Sequence, residues 1–558
     1  MITKLKLKFG KVPGSSPESL SLTPITVFVG PNNSGKSRVL DEIHRYCNDG
    51  QPSTNNVILE QLEFLASNSN AAEEHINKVT LRPKHDESVM PGHILVGKRG
   101  MRLNVPKEQL FSAMQNPDVS NLKAIFCQWY LQYNTIKLDG PNRIRLINQQ
   151  PAGNLQEPAQ ASFQVLYKDG KKRNEVRRII HEAFGSYFVI DPTNLGHLRI
   201  RLSPREPDSE IEELGIHNAA VAFHAAALPI EESSDGVKAF TGMITEIIAG
   251  DPAVLLIDEP EAFLHPSLAF QLGKEISTAS LGSEKRLFVS THSSNFVMGC
   301  IQSGAPVTIV RLTYRGEVAT ARVLPNNEIL KLMRNPLLRS TGVLNGLFYE
   351  FVVVTESDTD RAFYAEINER LLRSGESGGI PNCLFLNAQN KQTVQTIIRP
   401  LRELGIPAAA IVDVDIFKEG GCVWAGFLEG GFIPEIDRQS LATARSAVKQ
   451  RFDETGKDMK KDGGVDALSG GDKEAAENLL DRLCEYGLFV VRHGELESWL
   501  PSLGIRGKGP NWLVNVFDKM GEDPNASDYL KPSSGDVWAF IAEVKAWLMS
   551  PSRKGIPQ

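Results

Sequence analysis

The chain has 558 residues, with 61 basic side chains against 67 acidic ones and a formal charge of −6. That length is too great for one compact core and predicts about three or four domains. The slightly acidic balance excludes a protein that coats nucleic acid through bulk charge, although a local basic groove stays open.

Six scattered cysteines, Cys47, Cys127, Cys300, Cys383, Cys422 and Cys484, form no CxxC pair and have no histidine at zinc spacing. They read as reduced thiols rather than as a disulfide framework or a zinc site. The first residues, MITKLKLKFG, alternate like a strand and not like a signal peptide, and no apolar stretch reaches the ~20 residues that span a bilayer. A soluble cytoplasmic protein without membrane contact is expected.

Ile2, Leu5, Leu7 and Phe9 alternate as in a half-buried strand, and Ile25–Val29 is an apolar run that leads into FVGPNNSGKS. In that loop Gly30, Gly35, Lys36 and Ser37 spell the phosphate-binding pattern GxxxxGKS, and SRVLDEIHRYC follows with apolar residues at helical spacing. Residues 51–207 are irregular and rich in Asn, Gln, Pro and Gly. They hold predicted strands at TIKL and HLRIRL and a basic helix in KKRNEVRRIIHEAF, and read as insertion material on an ATPase core.

Farther on, AVLLIDEPEAF and RLFVSTHSSNF are short buried-type strands that each end in a polar turn. FYEFVVVTESD opens a new unit, followed by the amphipathic RAFYAEINERLL, the strand CLFLNA, a helical segment ending near Leu404, and AAAIVDVD. This alternation predicts a parallel sheet covered by helices. Glu454 to Asp472 reads as a loop or mobile link, and the residues after Pro510 look helical. The predicted organisation is an ATPase domain over 1–340 with 51–207 inserted, a second α/β domain over 345–510, and a helical tail over 511–558.

A P-loop points backbone N–H groups at phosphates, here from the turn Gly30 to Gly35 with Asn33 in it. Lys36 adds positive charge, and the Ser37 hydroxyl ligates magnesium. In LLIDEPEAFLHP an apolar strand carries Asp258 and Glu259 out at its C-terminal end, where Asp258 would hold Mg²⁺ and Glu259 would polarise the attacking water.

These elements resemble the ABC-type ATPases, in particular the branch of recombination and structural-maintenance proteins. The resemblance implies that His292 contacts the terminal phosphate and that ESSDGVKAF is the signature loop, with Ser233 and Gly236 at the start of a helix. It also implies that each ATP site is completed by a second subunit, so a homodimer or higher homo-oligomer is expected.

In VVVTESDTDRAFY, Glu356 ends an apolar strand and Asp360 stands one helical turn later. AAAIVDVDIF ends another strand with Asp413 and Asp415, which share one face. Four such acids would repel one another unless cations join them, and oxygen-only ligands favour Mg²⁺ or Mn²⁺. A pair of ions ~4 Å apart is the arrangement that clamps an in-line phosphoryl displacement.

The spacing resembles the Toprim domain of topoisomerases, primases and several nucleases, with Ser357 where that family usually has glycine. The resemblance implies a further metal ligand at Glu497, with Glu495 as the competing position, and a basic catalytic residue at Lys508. An ABC-type ATPase followed by a Toprim domain in one chain is similar to the OLD (overcoming lysogenization defect) nucleases, over most of the length to about Lys508. That family implies an ATP-regulated, metal-dependent DNA endonuclease of bacterial anti-phage defence, with dimerisation elements in 51–207 and further subunits as possible partners. RNA as the target, or an ATPase clamp with a non-catalytic Toprim module, are the alternatives. Lys168, Lys171, Lys172, Arg173, Arg177 and Arg178 are dense enough either to meet a phosphate backbone or to form a solvated helix face.

Overall fold

The computed structural model describes residues 1–557 apart from 86, 99–100, 158, 283, 325, 341 and 376–377. The chain divides into two compact units, Met1–Asn326 and Asn327–Gln558. Among the described residues no helix is long and apolar enough to cross a membrane.

The first unit is built on a six-stranded sheet in the order Val318–Leu324, Val307–Arg315, Ile25–Val29, Arg286–Ser290, Val254–Asp258, Thr135–Leu138. All neighbours are parallel except the outer hairpin of the first two. Ile25–Val29 is buried at every position and Val254–Asp258 at all but its last, as expected of strands covered on both faces. Register pairs Phe28 with Ser290 and Ser290 with Asp258. The three C-terminal ends are therefore level, and the turns after them meet at one edge of the sheet, where α/β folds bind ligands.

Residues 51–207 are woven into this unit. Thr135–Leu138 (TIKL) is the edge strand beside the acidic strand. Leu59–Phe64 pairs with the N-terminal strand Ile2–Leu7, and His197–Ser203 (in HLRIRL) centres a separate antiparallel sheet. The basic helix Gly170–Phe184 is present, but Arg173 and Arg177 lie buried on its inner face with Val176 and Ile180. Both reach Glu213, at 3.1 and 2.6 Å, and the exposed Arg178 is paired with Glu175, Glu182 and Glu275. Three of the six basic residues thus hold the unit together. Those three side chains are taken up inside the unit and are not free to meet a phosphate backbone.

The second unit carries a four-stranded, wholly parallel sheet in the order Cys383–Asn387, Phe351–Thr355, Ala408–Asp413, Leu488–Val491. From Phe351–Thr355 the chain crosses first to one side and then to the other. The crevice between that strand and Ala408–Asp413 is therefore the switch point of the sheet.

The two helices after Pro510's neighbour Gly509, Gly509–Met520 and Asp536–Met549, form no loose tail. They pack on helix Asp358–Arg373 and bury Trp512, Trp538, Ile541 and Val544 in the core of this unit. The segment read as a loop or link contains the end of helix Glu435–Thr455, a short turn at Gly464–Ala467 and the start of helix Gly470–Cys484.

Candidate functional site: a P-loop and a carboxylate cluster

In the P-loop, Gly30, Asn33 and Gly35 all have positive φ (145°, 61° and 93°). That curvature turns successive N–H groups inward toward the start of helix Lys36–Asp49, the concavity that holds phosphate oxygens. A side chain at Gly30 would also put its Cβ 2.1 Å from the Leu312 carbonyl, so glycine is required there.

The Lys36 side chain is buried and donates to the carbonyls of Gly30 (2.9 Å) and Pro31 (2.7 Å). Burial lowers its pKa to about 8, with Glu259, Asp258 and Glu261 opposing the shift. The Ser37 hydroxyl donates to Asp258 Oδ1 at 2.9 Å, and Ser290 donates to the same oxygen. The GKS serine and the strand-end aspartate thus form one oxygen pair, the donor set expected for the Mg²⁺ of a nucleotide.

Glu259 adopts φ 50°, and its carboxylate stands 3.6 Å from His292 Nε2. Burial and then the neighbouring Lys36 lower the pKa of His292, which favours the neutral, hydrogen-bonding ring. Glu261 ties the two turns together, accepting from the His292 N–H (2.7 Å) and the Thr291 hydroxyl (2.8 Å). Arg143, fully buried on a short helix after the edge strand, donates to the carbonyls of Asp258 (3.0 Å) and Glu259. It clamps the backbone that carries the acidic pair, and no motif announced it.

Ser233 and Gly236 lie beside Ser234, whose side chain caps helix Asp235–Ala249. A Cβ at Gly236 would come within 2.6 Å of the Phe263 carbonyl, so this helix start packs on the turn that follows Glu259.

In the second unit, Glu356, Asp413 and Asp415 each offer an oxygen within 4.8 Å of the others, at the switch point of the sheet. Glu356 Oε1 accepts the Asp413 N–H at 2.8 Å. Burial, then the charge of Asp413, raises the pKa of Glu356; burial also raises that of Asp413, against the pull of Lys460. The two titrate as a pair.

Asp415 Oδ2 meets Lys391 at 2.8 Å, and Lys391 also reaches Glu419 at 3.1 Å. Asp415 Oδ1 is buried without a hydrogen-bond partner. An orphaned carboxylate oxygen inside a like-charged trio fits a divalent cation's donor set, all oxygen and compact.

Lys460 is the centre of the remaining charge pairing, 2.6 Å from Asp413 Oδ2, 3.7 Å from Asp415 and 3.9 Å from Glu495. Lys508 bonds the other oxygen of Glu495. Of the two candidate glutamates, Glu495 therefore faces the trio. Glu497 accepts the Gly509 N–H at 2.9 Å, and burial, with a smaller contribution from the charge of Glu497, raises the pKa of Asp360.

Asp360 stands outside the trio. Its carboxylate accepts from the Ser357 N–H (2.9 Å) and hydroxyl (2.6 Å), while Ser357 Oγ accepts the Asp360 N–H, a complete capping box. Lys460 and Lys391 escaped sequence reasoning. The KKDGG run around Lys460 and the position of Lys391 just beyond the strand Cys383–Asn387 were the only signals.

A family model described as "AAA domain, putative AbiEii toxin, Type IV TA system" matches residues 170–298, the stretch that holds Ser233, Gly236, Asp258, Glu259 and His292. That match lies within the first unit, which also carries the P-loop. No curated protein matches the chain.

Among solved structures, the chain is similar to an SMC head bound to the C-winged helix domain of ScpA, with 17% identity and TM-score 0.33 over 59% of this chain and 99% of that one. An SMC head domain from Thermotoga maritima gives 14% identity and TM-score 0.30, over 58% and 99%. An Smc head domain with an extended coiled coil, bound to a ScpA domain, from Pyrococcus furiosus gives 15% and 0.32, over 60% and 98%.

Proposed function

We propose that this protein is an ATP-regulated, divalent-metal-dependent DNA endonuclease, in which a dimeric ABC-type ATPase gates a Toprim-like nuclease site in the manner of the OLD family. The observation that carries the nuclease reading is the Glu356–Asp413–Asp415 trio at the sheet's switch point, with the Asp415 oxygen left unpartnered.

On the ATPase side, Lys36 binds the terminal phosphates, Ser37 and Asp258 would hold Mg²⁺, Glu259 polarises water, and His292, 3.6 Å from Glu259, contacts the terminal phosphate. Ser233 and Gly236 of a second copy complete the site. On the nuclease side, Glu356, Asp413 and Asp415 hold the cation, Asp360 and Glu497 supply a flanking acidic pair, and Lys508 neutralises the phosphate beside the scissile bond. Mg²⁺ or Mn²⁺ supplies Lewis-acid polarisation of the phosphodiester when bound. A cytoplasmic role in bacterial anti-phage defence, with further subunits as partners, rests on the likeness to OLD nucleases.

The test is incubation with supercoiled plasmid, and in parallel with transfer RNA, in Mg²⁺ or Mn²⁺ with and without ATP, beside Asp413→Ala. Nicked or linear plasmid lost in the variant supports the reading, and the ATP comparison gives the sign of control. Degraded RNA with intact plasmid redirects the chemistry to RNA. Intact nucleic acid in every lane, with ATP hydrolysis continuing, leaves the ATPase clamp.

A further inference from the structure

Three carboxylates that offer oxygens within 4.8 Å of one another need positive charge nearby, and the chain supplies its own. Lys460 Nζ takes Asp413 Oδ2 at 2.6 Å and stands within 4 Å of both Asp415 and Glu495. It is the one of the three lysines here that reaches both acids of the DVD turn, while Lys391 touches Asp415 and Lys508 touches Glu495.

Its backbone is not free to wander. A Cβ at Gly494 (φ 125°) would come within 2.2 Å of the Lys460 carbonyl, so the loop lies directly on that glycine. The Gly494 carbonyl in turn accepts the N–H of Val414, the residue between Asp413 and Asp415. Farther along the same loop, Val465 N–H bonds the Arg492 carbonyl at 2.8 Å. The strand end that aims the aspartates therefore also aims the lysine at them. The side chain is nonetheless 26% exposed, which leaves its flexible stem a way out to solvent.

An ammonium group and a divalent ion compete for the same acids, because Mg²⁺ binds carboxylate oxygens at about 2.0–2.1 Å and its charge repels a lysine held against the same carboxylates. Lys391 and Lys508 each pair with one acid at the edge of the cluster, whereas Lys460 pairs with Asp413 and Asp415, two of the three acids that would hold the ion.

We propose that Lys460 is a resident cation of the carboxylate cluster which a divalent ion must displace, so that this lysine sets the metal concentration at which the site loads. The inference rests on the reading of Glu356, Asp413 and Asp415 as a metal site. It goes beyond that reading by giving the apo site a built-in competitor.

The test is calorimetric titration of the full, chelator-stripped chain with Mn²⁺ for the wild type, Lys460→Met and Lys460→Arg. Removal of a unit charge about 4 Å from the ion predicts at least roughly tenfold tighter binding by K460M, with K460R no tighter than the wild type. Mn²⁺ binding by the wild type with unchanged or weaker affinity in K460M overturns the inference and leaves the metal site standing. No Mn²⁺ binding by the wild type overturns the metal-site reading and this inference together, and bound Mn²⁺ without cleavage sinks the nuclease reading alone.

Should K460M fail to fold, amine acylation of the wild-type chain mapped by mass spectrometry decides. Lys460 must label faster with saturating Mn²⁺ than with chelator, and equal labelling refutes the displacement.

Discussion

Replacing Glu356 by glutamine should make the metal-free protein more stable, although it removes a residue placed in the cleavage machinery. Two unit charges 4.8 Å apart repel by about 3.5 kcal/mol at an effective dielectric of ~20, and Glu356 faces two of them, Asp413 and Asp415. Lys460 offsets roughly one of those repulsions, so the net gain expected for E356Q where Glu356 is ionised is about 3.5 kcal/mol. The amide keeps an oxygen for the Asp413 N–H.

The pH dependence fixes the sign. Burial and Asp413 raise the Glu356 pKa above its unfolded value, so the folded state binds more protons. The wild type therefore has its full stability below the unfolded carboxyl range and loses it as pH rises through the folded pKa. Glutamine copies the protonated form, so the gap between variant and wild type should be small at pH 5 and largest at pH 8.5.

Urea unfolding in chelator, followed by tryptophan fluorescence, reads the right unit, because five of the six tryptophans (all but Trp129) lie beyond Asn327. Saturating Mn²⁺ should narrow or invert the gap, since the wild type gains binding energy that the variant does not. An E356Q variant less stable than the wild type at pH 8.5 in chelator, or a gap indifferent to pH, would refute the reasoning.

On the nucleotide side, Lys36→Met should abolish binding of a fluorescent ATP analogue, because the same ammonium that bonds the loop carbonyls is the charge that meets the phosphates. Glu259→Gln should keep that binding while hydrolysis, measured by phosphate release, falls about 10²–10⁴-fold. Arg177→Ala should destabilise the first unit by about 3 kcal/mol in a thermal melt, by stripping one of two guanidinium partners from the buried Glu213. The salt dependence of DNA binding by that variant should match the wild type, and a shallower slope would return the basic helix to the DNA interface.

What the sequence disclosed follows the range over which each signal acts. GPNNSGKS, LLIDE and VVVTESD are local: an apolar run ending in a polar turn places its own side chains at a strand end, wherever the strand lies in the sheet. Strand order is not local. TIKL reads as a strand, yet nothing in four residues says that it flanks Val254–Asp258.

Arg173 and Arg177 read as surface from the sequence because charge in a helix is ordinarily solvated, and the carboxylate that buries them, Glu213, comes from another helix. Lys460 was hidden for the same reason, since its partners belong to a distant strand end. The helices after Gly509 carried a legible sign in Trp512, Trp538 and Trp547. Three large aromatic rings in a short segment are more burial than a solvated tail can hold.

Ser357 shows how a departure from a motif can be read physically. Glycine at such a position is needed where φ is positive, but here Ser357 has φ −133°, an extended conformation open to any residue. The serine does instead what glycine cannot: its hydroxyl caps the helix that starts at Asp358 and closes a reciprocal pair with Asp360. The turn after the strand is thereby fixed by side-chain hydrogen bonds rather than by backbone freedom, and Glu356 is still delivered to the Asp413 N–H. The exchange engages one Asp360 oxygen in the cap, so the substitution bears on Asp360 as a metal ligand and leaves the Glu356–Asp413–Asp415 trio intact.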